Sequence, residues 1–209
     1  MGVDSHAPSP TLGLDQTRYS PAMRRIWPWP ALLLEEVAEW INRLPGDLWL
    51  DAACGEGQLG ERLGKRKSLL GLDMDWQRLR RARSHPYVAL IQGSVESLPL
   101  ARGRLSGIAS VETLEHVADM DAALKEFGRC LRPNGYLVLT IPSVTLRSLW
   151  QMRVTRQPVY CDPNEHIREF SAVPVQGFPH MFESWKSLEA RAQRSGFTVV
   201  RGGGVGFLL

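Results

Sequence analysis

Cysteine is scarce in this chain: three in 209 residues, at positions 54, 130 and 161. An odd number with no C-x-x-C spacing argues against a disulfide framework and against a zinc site. Long apolar runs are missing too, so no membrane span is expected, and Met1–Pro10 lack the charged and then apolar pattern of a signal sequence. These absences point to a soluble protein of a reducing cytoplasm. Charge of one sign is also lacking: 25 basic residues against 22 acidic ones leave a net charge of +3, too balanced for a dedicated nucleic-acid surface. The local runs Lys65-Arg66-Lys67 and Arg78, Arg80, Arg81, Arg83 read as solvated helix faces.

What is present is apolar material, 44% of the chain, enough for the core of one domain. Residues 1–16, rich in Ser, Pro, Gly and Thr, read as a flexible leader, and residues 17–209 as the domain. Pro30 fits a helix start and Pro45-Gly46 its end, and Trp27 and Trp29 just ahead either form a lid or pack the helix onto the core. From Leu48 to Ile141 short apolar runs alternate with helix-competent segments. Five strands are expected, at about 48–52, 68–73, 87–92, 107–111 and 136–141, with helices at 75–83 and 121–131. That pattern predicts a single α/β domain of Rossmann-like, doubly wound type, a mostly parallel sheet with helices on both faces. Residues 142–180 lose regularity and are expected to form a variable acceptor-binding insertion. A last helix (182–194) and a strand (197–200) follow, and residues 203–209 look too short to complete a final hairpin, so a trimmed end is expected.

The stretch from Leu48 to Leu63 organises the rest. Gly55, Gly57 and Gly60 satisfy G-x-G-x-x-G after an apolar run, and Asp73 follows at the distance of a ribose-binding acid, which suits a nicotinamide dinucleotide at first sight. Asp51 opposes that reading. A carboxylate at the end of the first strand faces the place of a pyrophosphate, and like charges repel strongly in a poorly hydrated crevice. The same carboxylate suits a cationic ligand, and Asp73 suits a pair of ribose hydroxyls.

Asp51-Ala52-Ala53-Cys54-Gly55-Glu56-Gly57 resembles the first motif of the class I (Rossmann-like) S-adenosyl-L-methionine (SAM)-dependent methyltransferases of methyltransferase type 11 kind. The likeness continues in family order through Asp73-Met74, through Gly93-Ser94-Val95-Glu96-Ser97-Leu98-Pro99, through Glu112-Thr113-Leu114-Glu115-His116, and through Arg132-Pro133-Asn134-Gly135-Tyr136-Leu137. It implies a transferase that binds SAM and its product S-adenosyl-L-homocysteine (SAH). It also implies a cofactor site of Asp51, Ala53, Gly55, Gly57, Asp73, Met74, Gly93, Ser94, Val95, Val111 and Glu112, with Asp73 on the ribose and Met74 beside adenine. Ser94 stands where the family usually has an acid for the adenine amino group, so the Val95 backbone amide takes on part of that recognition.

A hydroxyl acceptor must lose its proton as the new bond forms, and His116 and His166 are the histidines beside family motifs, hence the candidate catalytic bases. The resemblance extends to O-methyltransferases of quinone precursors or terminal RNA ribose, in which Glu112, Glu115, His116 and His166 would hold a divalent metal. The favoured reading has no metal. The acceptor is expected to be a small molecule, lipid or glycan methylated at oxygen. A non-catalytic SAM-binding regulator is the alternative from another class, and the oligomeric state is not encoded in any recognisable motif.

Overall fold

The structure, a computed structural model, describes residues 29–141 and 185–200. The leader, Trp27, Cys161, His166 and the expected insertion at 142–180 lie outside the described residues.

Helix α1 (Trp29–Arg43) opens the described chain and places Leu33, Val37, Ala38 and Ile41 on one buried face, the spacing of a helix laid on a sheet. Strand β1 (Leu48–Ala52), helix α2 (Gln58–Leu63), β2 (Ser68–Asp73), α3 (Trp76–Ala82), β3 (Tyr87–Gln92), β4 (Leu105–Val111), α4 (Met120–Cys130), β5 (Leu131–Thr140) and α5 (Trp185–Arg194) follow, with a single 3₁₀ turn at Leu114–His116 between β4 and α4. The strands form one sheet in the order β3-β2-β1-β4-β5, and every pairing is parallel. All five carboxyl ends therefore share one edge, and the order reverses between β1 and β4, where α/β sheets bind their ligands.

Alternation along the strands builds a core on each face. Leu50, Ala52, Leu72 and Ile108 meet Met120, Ala123, Leu124 and Phe127 of α4 and Leu188 of α5. Trp49, Leu69 and Ala109 face the other way, toward α1 and toward Leu59 and Leu63 of α2. The Trp49 indole lies flat on Gly107 of β4: a Cβ there would come within 2.4 Å of the ring. Its Nε1 donates to the Gly46 carbonyl at 3.1 Å.

Two expectations need correction. Pro133-Asn134-Gly135 has the composition of a turn ahead of the fifth strand expected at about 136–141, but in the structure it lies in a bulge within β5. Leu105 pairs with Leu131 and Gly107 with Tyr136, so four residues, Arg132–Gly135, loop out beside one residue of β4, with Asn134 in the left-handed region (φ 60°). Phe197–Val200 adopt no strand. The amide of Gly196 (φ 89°) donates to Gln193 O and that of Phe197 to Ala192 O, a Schellman ending of α5 that turns the chain off the ladder direction. The Phe197 side chain packs on the core shared with α4.

Candidate cosubstrate and active site

The turn after β1 is shaped by backbone conformations that few residues adopt. Ala53 (φ 63°), Gly55 (φ 56°) and Gly57 (φ 96°) lie in the left-handed region, and the strain at Ala53, which has a Cβ, is of the kind that concentrates at functional sites. Two main-chain bonds hold it: Cys54 N donates to Leu72 O at 2.8 Å and Gly57 N to Cys54 O at 2.9 Å.

Asp73, at the end of β2, is buried, and both its oxygens are engaged. Oδ2 accepts from Gly55 N and Oδ1 from Asp75 N, each at 2.8 Å. The acid of the second strand thus fixes the glycine turn of the first. A carboxylate has about four acceptor positions, so two remain for a ligand's hydroxyls. Asp75 caps α3, its Oδ1 accepting from Gln77 N at 2.7 Å, while its Oδ2 is buried with no hydrogen-bond partner. Met74 and Trp76 stand exposed beside it, and the Arg83 guanidinium sits 5.3 Å from the Trp76 ring centre.

Asp51 faces the α2 side of the sheet and is buried. Its Oδ2 accepts from the Tyr87 hydroxyl at 2.7 Å, and the same hydroxyl accepts from Gly60 N at 3.2 Å. Burial pushes the Asp51 carboxyl up to about 7; the Tyr87 bond pulls it down and the negative charge of Asp73 pushes it further up. Two acidic side chains that repel each other across a glycine turn make a poor seat for a pyrophosphate and a suitable one for a cation with vicinal hydroxyls. The donor set fits SAM rather than a dinucleotide.

Tyr87 is the group that motif reading missed, because its bond spans 36 residues and crosses β2. The glycines were its visible trace. A Cβ at Gly60 would stand 2.6 Å from the phenol ring, one at Gly71 3.0 Å, and one at Gly57 3.1 Å, with His85 closer still at 2.7 Å. Gly55 differs: its nearest neighbour would be 3.6 Å away, so its φ alone requires glycine.

At the end of β3, Gly93 N donates to Asp73 O at 3.0 Å, which brings the third strand's exit beside the second's. Ser94 turns inward on its own loop, its Oγ accepting from Glu96 N at 3.1 Å, and the Val95 side chain is buried in the core. Glu96 in turn accepts from Asp119 N at 2.7 Å, so the start of α4 holds this loop.

Beyond β4, Val111 leads to Glu112, a second non-glycine residue in the left-handed region (φ 49°). Thr140 of β5 secures it: Glu112 N donates to Thr140 Oγ1 at 3.1 Å, and that hydroxyl lies 3.1 Å from Glu112 Oε1, to which it donates. Burial raises the Glu112 carboxyl, and raises Glu115 to about 8 with help from the Glu112 charge. Glu115 is 1% exposed and neither of its oxygens has a hydrogen-bond partner. His116 Nε2 lies 3.7 Å from Glu115 Oε1, too long for a hydrogen bond, and a fully buried carboxyl beside another carboxylate is neutral near pH 7. The pair is therefore a contact rather than an ion pair. His116 itself is partly exposed, and among the described residues no three His, Cys, Asp or Glu side chains are placed to hold a metal ion.

A parallel five-stranded sheet, with acids closing its first two strands and a strained glycine turn at its switch point, defines a Rossmann-like ligand-binding domain. Residues 50–139 match the sequence model of the family described as methyltransferase domain. The ubiquinone biosynthesis O-methyltransferase of Alkalilimnicola ehrlichii is 33% identical over 116 residues, 52% of this chain and 47% of that protein. The 2-phytyl-1,4-naphtoquinone methyltransferase of Trichormus variabilis is 28% identical over 121 residues, 53% of this chain and 50% of that protein. The chain spans about half the length of these curated relatives. A SAM-dependent methyltransferase of Thermotoga maritima, described as a possible histamine N-methyltransferase, superposes with a TM-score of 0.62 at 19% identity, covering 89% of this chain and 79% of that one; the likeness is one of fold. No helix among the described residues is long and apolar enough to cross a membrane.

Proposed function

We propose that the chain methylates a small-molecule, lipid or glycan acceptor at a hydroxyl oxygen, using SAM held on the edge formed by β1, β2, β3 and β4. The observation that carries this reading is the 2.8 Å bond from Gly55 N to Asp73 Oδ2, which makes the glycine turn and the ribose acid one structure. Asp51, Ala53, Gly55 and Gly57 would take the amino-acid end, Asp73 the ribose, and Met74, Gly93, Ser94 and Val95 the adenine, with Val111 and Glu112 closing the side toward the acceptor. When bound, SAM supplies a methyl group on a sulfonium whose leaving group departs neutral. The protein's work is then to orient the acceptor and to take its proton.

His116, at the exit of β4, is the described residue suited to receive the acceptor's hydroxyl proton, and His166 is the other candidate from the sequence. The insertion at 142–180 is proposed to supply the acceptor-facing wall, and residues 1–16 a leader. The relatives named as a ubiquinone biosynthesis O-methyltransferase and a 2-phytyl-1,4-naphtoquinone methyltransferase favour, as a second reading, a quinone or quinone precursor as acceptor.

Calorimetric titration with SAM, SAH and NAD tests the cosubstrate, and an acceptor panel of phenols, lipids and glycans followed by mass spectrometry tests the rest. Binding of NAD in preference to SAM removes the proposal. Binding of SAM without turnover on any acceptor favours a regulator.

A further inference from the structure

We propose that Tyr87 is the positioning residue of the cosubstrate site: its hydroxyl ties the Asp51 carboxylate to the first turn of α2, so that the glycine turn and the acid beneath it present one fixed face to a ligand's ammonium group. This rests on the SAM reading above and adds a residue that neither the motifs nor the family resemblance singled out.

Three observations carry it. The phenol oxygen sits between two partners, donating to Asp51 Oδ2 at 2.7 Å and accepting from Gly60 N at 3.2 Å. Gly60 N belongs to the first turn of α2, where no carbonyl within the helix is available to it, so Tyr87 satisfies a helix-end donor that Gly57, the N-cap, cannot reach with a side chain. The ring then passes Gly57, Gly60 and Gly71, each of which leaves space that any side chain would deny it. Packing alone does not explain the hydroxyl, since phenylalanine would fill the same space. A buried carboxylate that receives a neutral O–H donor keeps its charge more easily, and a charged Asp51 is what an ammonium group selects.

Among the described residues, the other groups facing Asp51 are few. β2 contributes Asp73, which repels it, and β4 contributes only Ala109 opposite it in register. Cys54 from the turn and Tyr87 itself are both pushed well up by burial and stay neutral, and Arg78 of α3 acts on Cys54. His85, which lies against Gly57, is the nearby imidazole among the described residues and needs its own control.

SAH, which carries the ammonium group without the sulfonium, is the probe. Its dissociation constant is measured by calorimetry from pH 6 to 8.5 for the wild type, Tyr87→Phe, Asp51→Asn and His85→Gln. Wild-type affinity should rise with pH through about 7, where Asp51 ionises. Tyr87→Phe removes the donor that favours the anion, so its midpoint should move to higher pH. A midpoint at about 8 makes binding at pH 6 about tenfold weaker than wild type, and the two curves close on each other toward pH 8.5. Asp51→Asn should bind weakly with a flat profile, and His85→Gln should keep the wild-type curve. A folded Tyr87→Phe protein with the wild-type midpoint overturns the proposal, even if its melting temperature is lower, as does a midpoint that vanishes in His85→Gln but not in Asp51→Asn. Should Tyr87→Phe not fold, replacing the chain's four tyrosines with 3-fluorotyrosine keeps the ring and strengthens the donor; the midpoint must then fall, and an unchanged one overturns the proposal. If the wild type binds neither SAH nor SAM at any pH, the SAM reading fails instead.

Discussion

Asp73→Asn isolates the bond on which the site depends. The native carboxylate accepts Gly55 N and Asp75 N at 2.8 Å, one on each oxygen. Asparagine keeps the shape but has one oxygen and one NH₂, so in either orientation one of the two amides faces a donor. One charge-assisted bond is lost and a buried N–H is left unpaired, which together cost about 3 kcal/mol. For a chain of this length that corresponds to a melting temperature lower by about 6–12 °C, read by scanning calorimetry of the ligand-free protein. Cosubstrate affinity should fall as well, by about 1.5–3 kcal/mol, because the remaining acceptor positions lose their charge and the glycine turn loses its anchor. A ligand-free Asp73→Asn protein that melts with the wild type would refute the claim that this carboxylate organises the turn, whatever happens to binding.

Three further expectations concern other parts of the fold. Glu115 has its pKa raised from an ordinary 4.5 to about 8, so between these values the folded state holds a proton that the unfolded state has released; stability is full below pH 4.5 and is lost as pH rises through 8, and Glu115→Gln should raise the melting temperature at about pH 8.5 while changing it little at about pH 4. Gly60→Ala drives a methyl into the Tyr87 ring and should destabilise by about 2–3 kcal/mol; a loss under about 1 kcal/mol in urea titrations would mean the ring yields. Gly107→Ala meets the Trp49 indole at 2.4 Å in the middle of two strands and should cost more than about 3 kcal/mol, and a soluble protein of wild-type stability would show that β1 and β4 can part there.

The sheet was legible because a parallel strand buried on both faces leaves an uninterrupted apolar run, as at Leu48–Leu50 and Ser68–Leu72, and because the glycine turn marks the crossing from β1 to α2. Segments whose conformation is decided by a partner far away in sequence were harder to read. Pro133-Asn134-Gly135 carries every local mark of a turn, yet the residues on either side pair with β4, so the turn became a bulge. Phe197-Thr198-Val199-Val200 has strand composition, and the glycine before it ends a helix instead. In the site, Asp51, Gly55, Gly57 and Asp73 announced themselves by spacing. Tyr87 and Thr140 did not, since nothing local distinguishes a tyrosine that will meet a carboxylate on β1 or a threonine that will hold Glu112.

The glycine cradle puts a bond near the centre of the fold at the mercy of its outermost described strand. β3 pairs with β2 alone among the described residues, its register slips at Leu69/Leu70, and Val88 is 61% exposed. Edge elements of this sort open at a lower free energy than the strands behind them. Each time β3 lifts, Tyr87 leaves Asp51 and Gly60 together. Whatever binds the intact turn must hold the edge closed by the same free energy, so exchange of the β3 amides with deuterium becomes a gauge of occupancy measured more than a strand's width from the ligand.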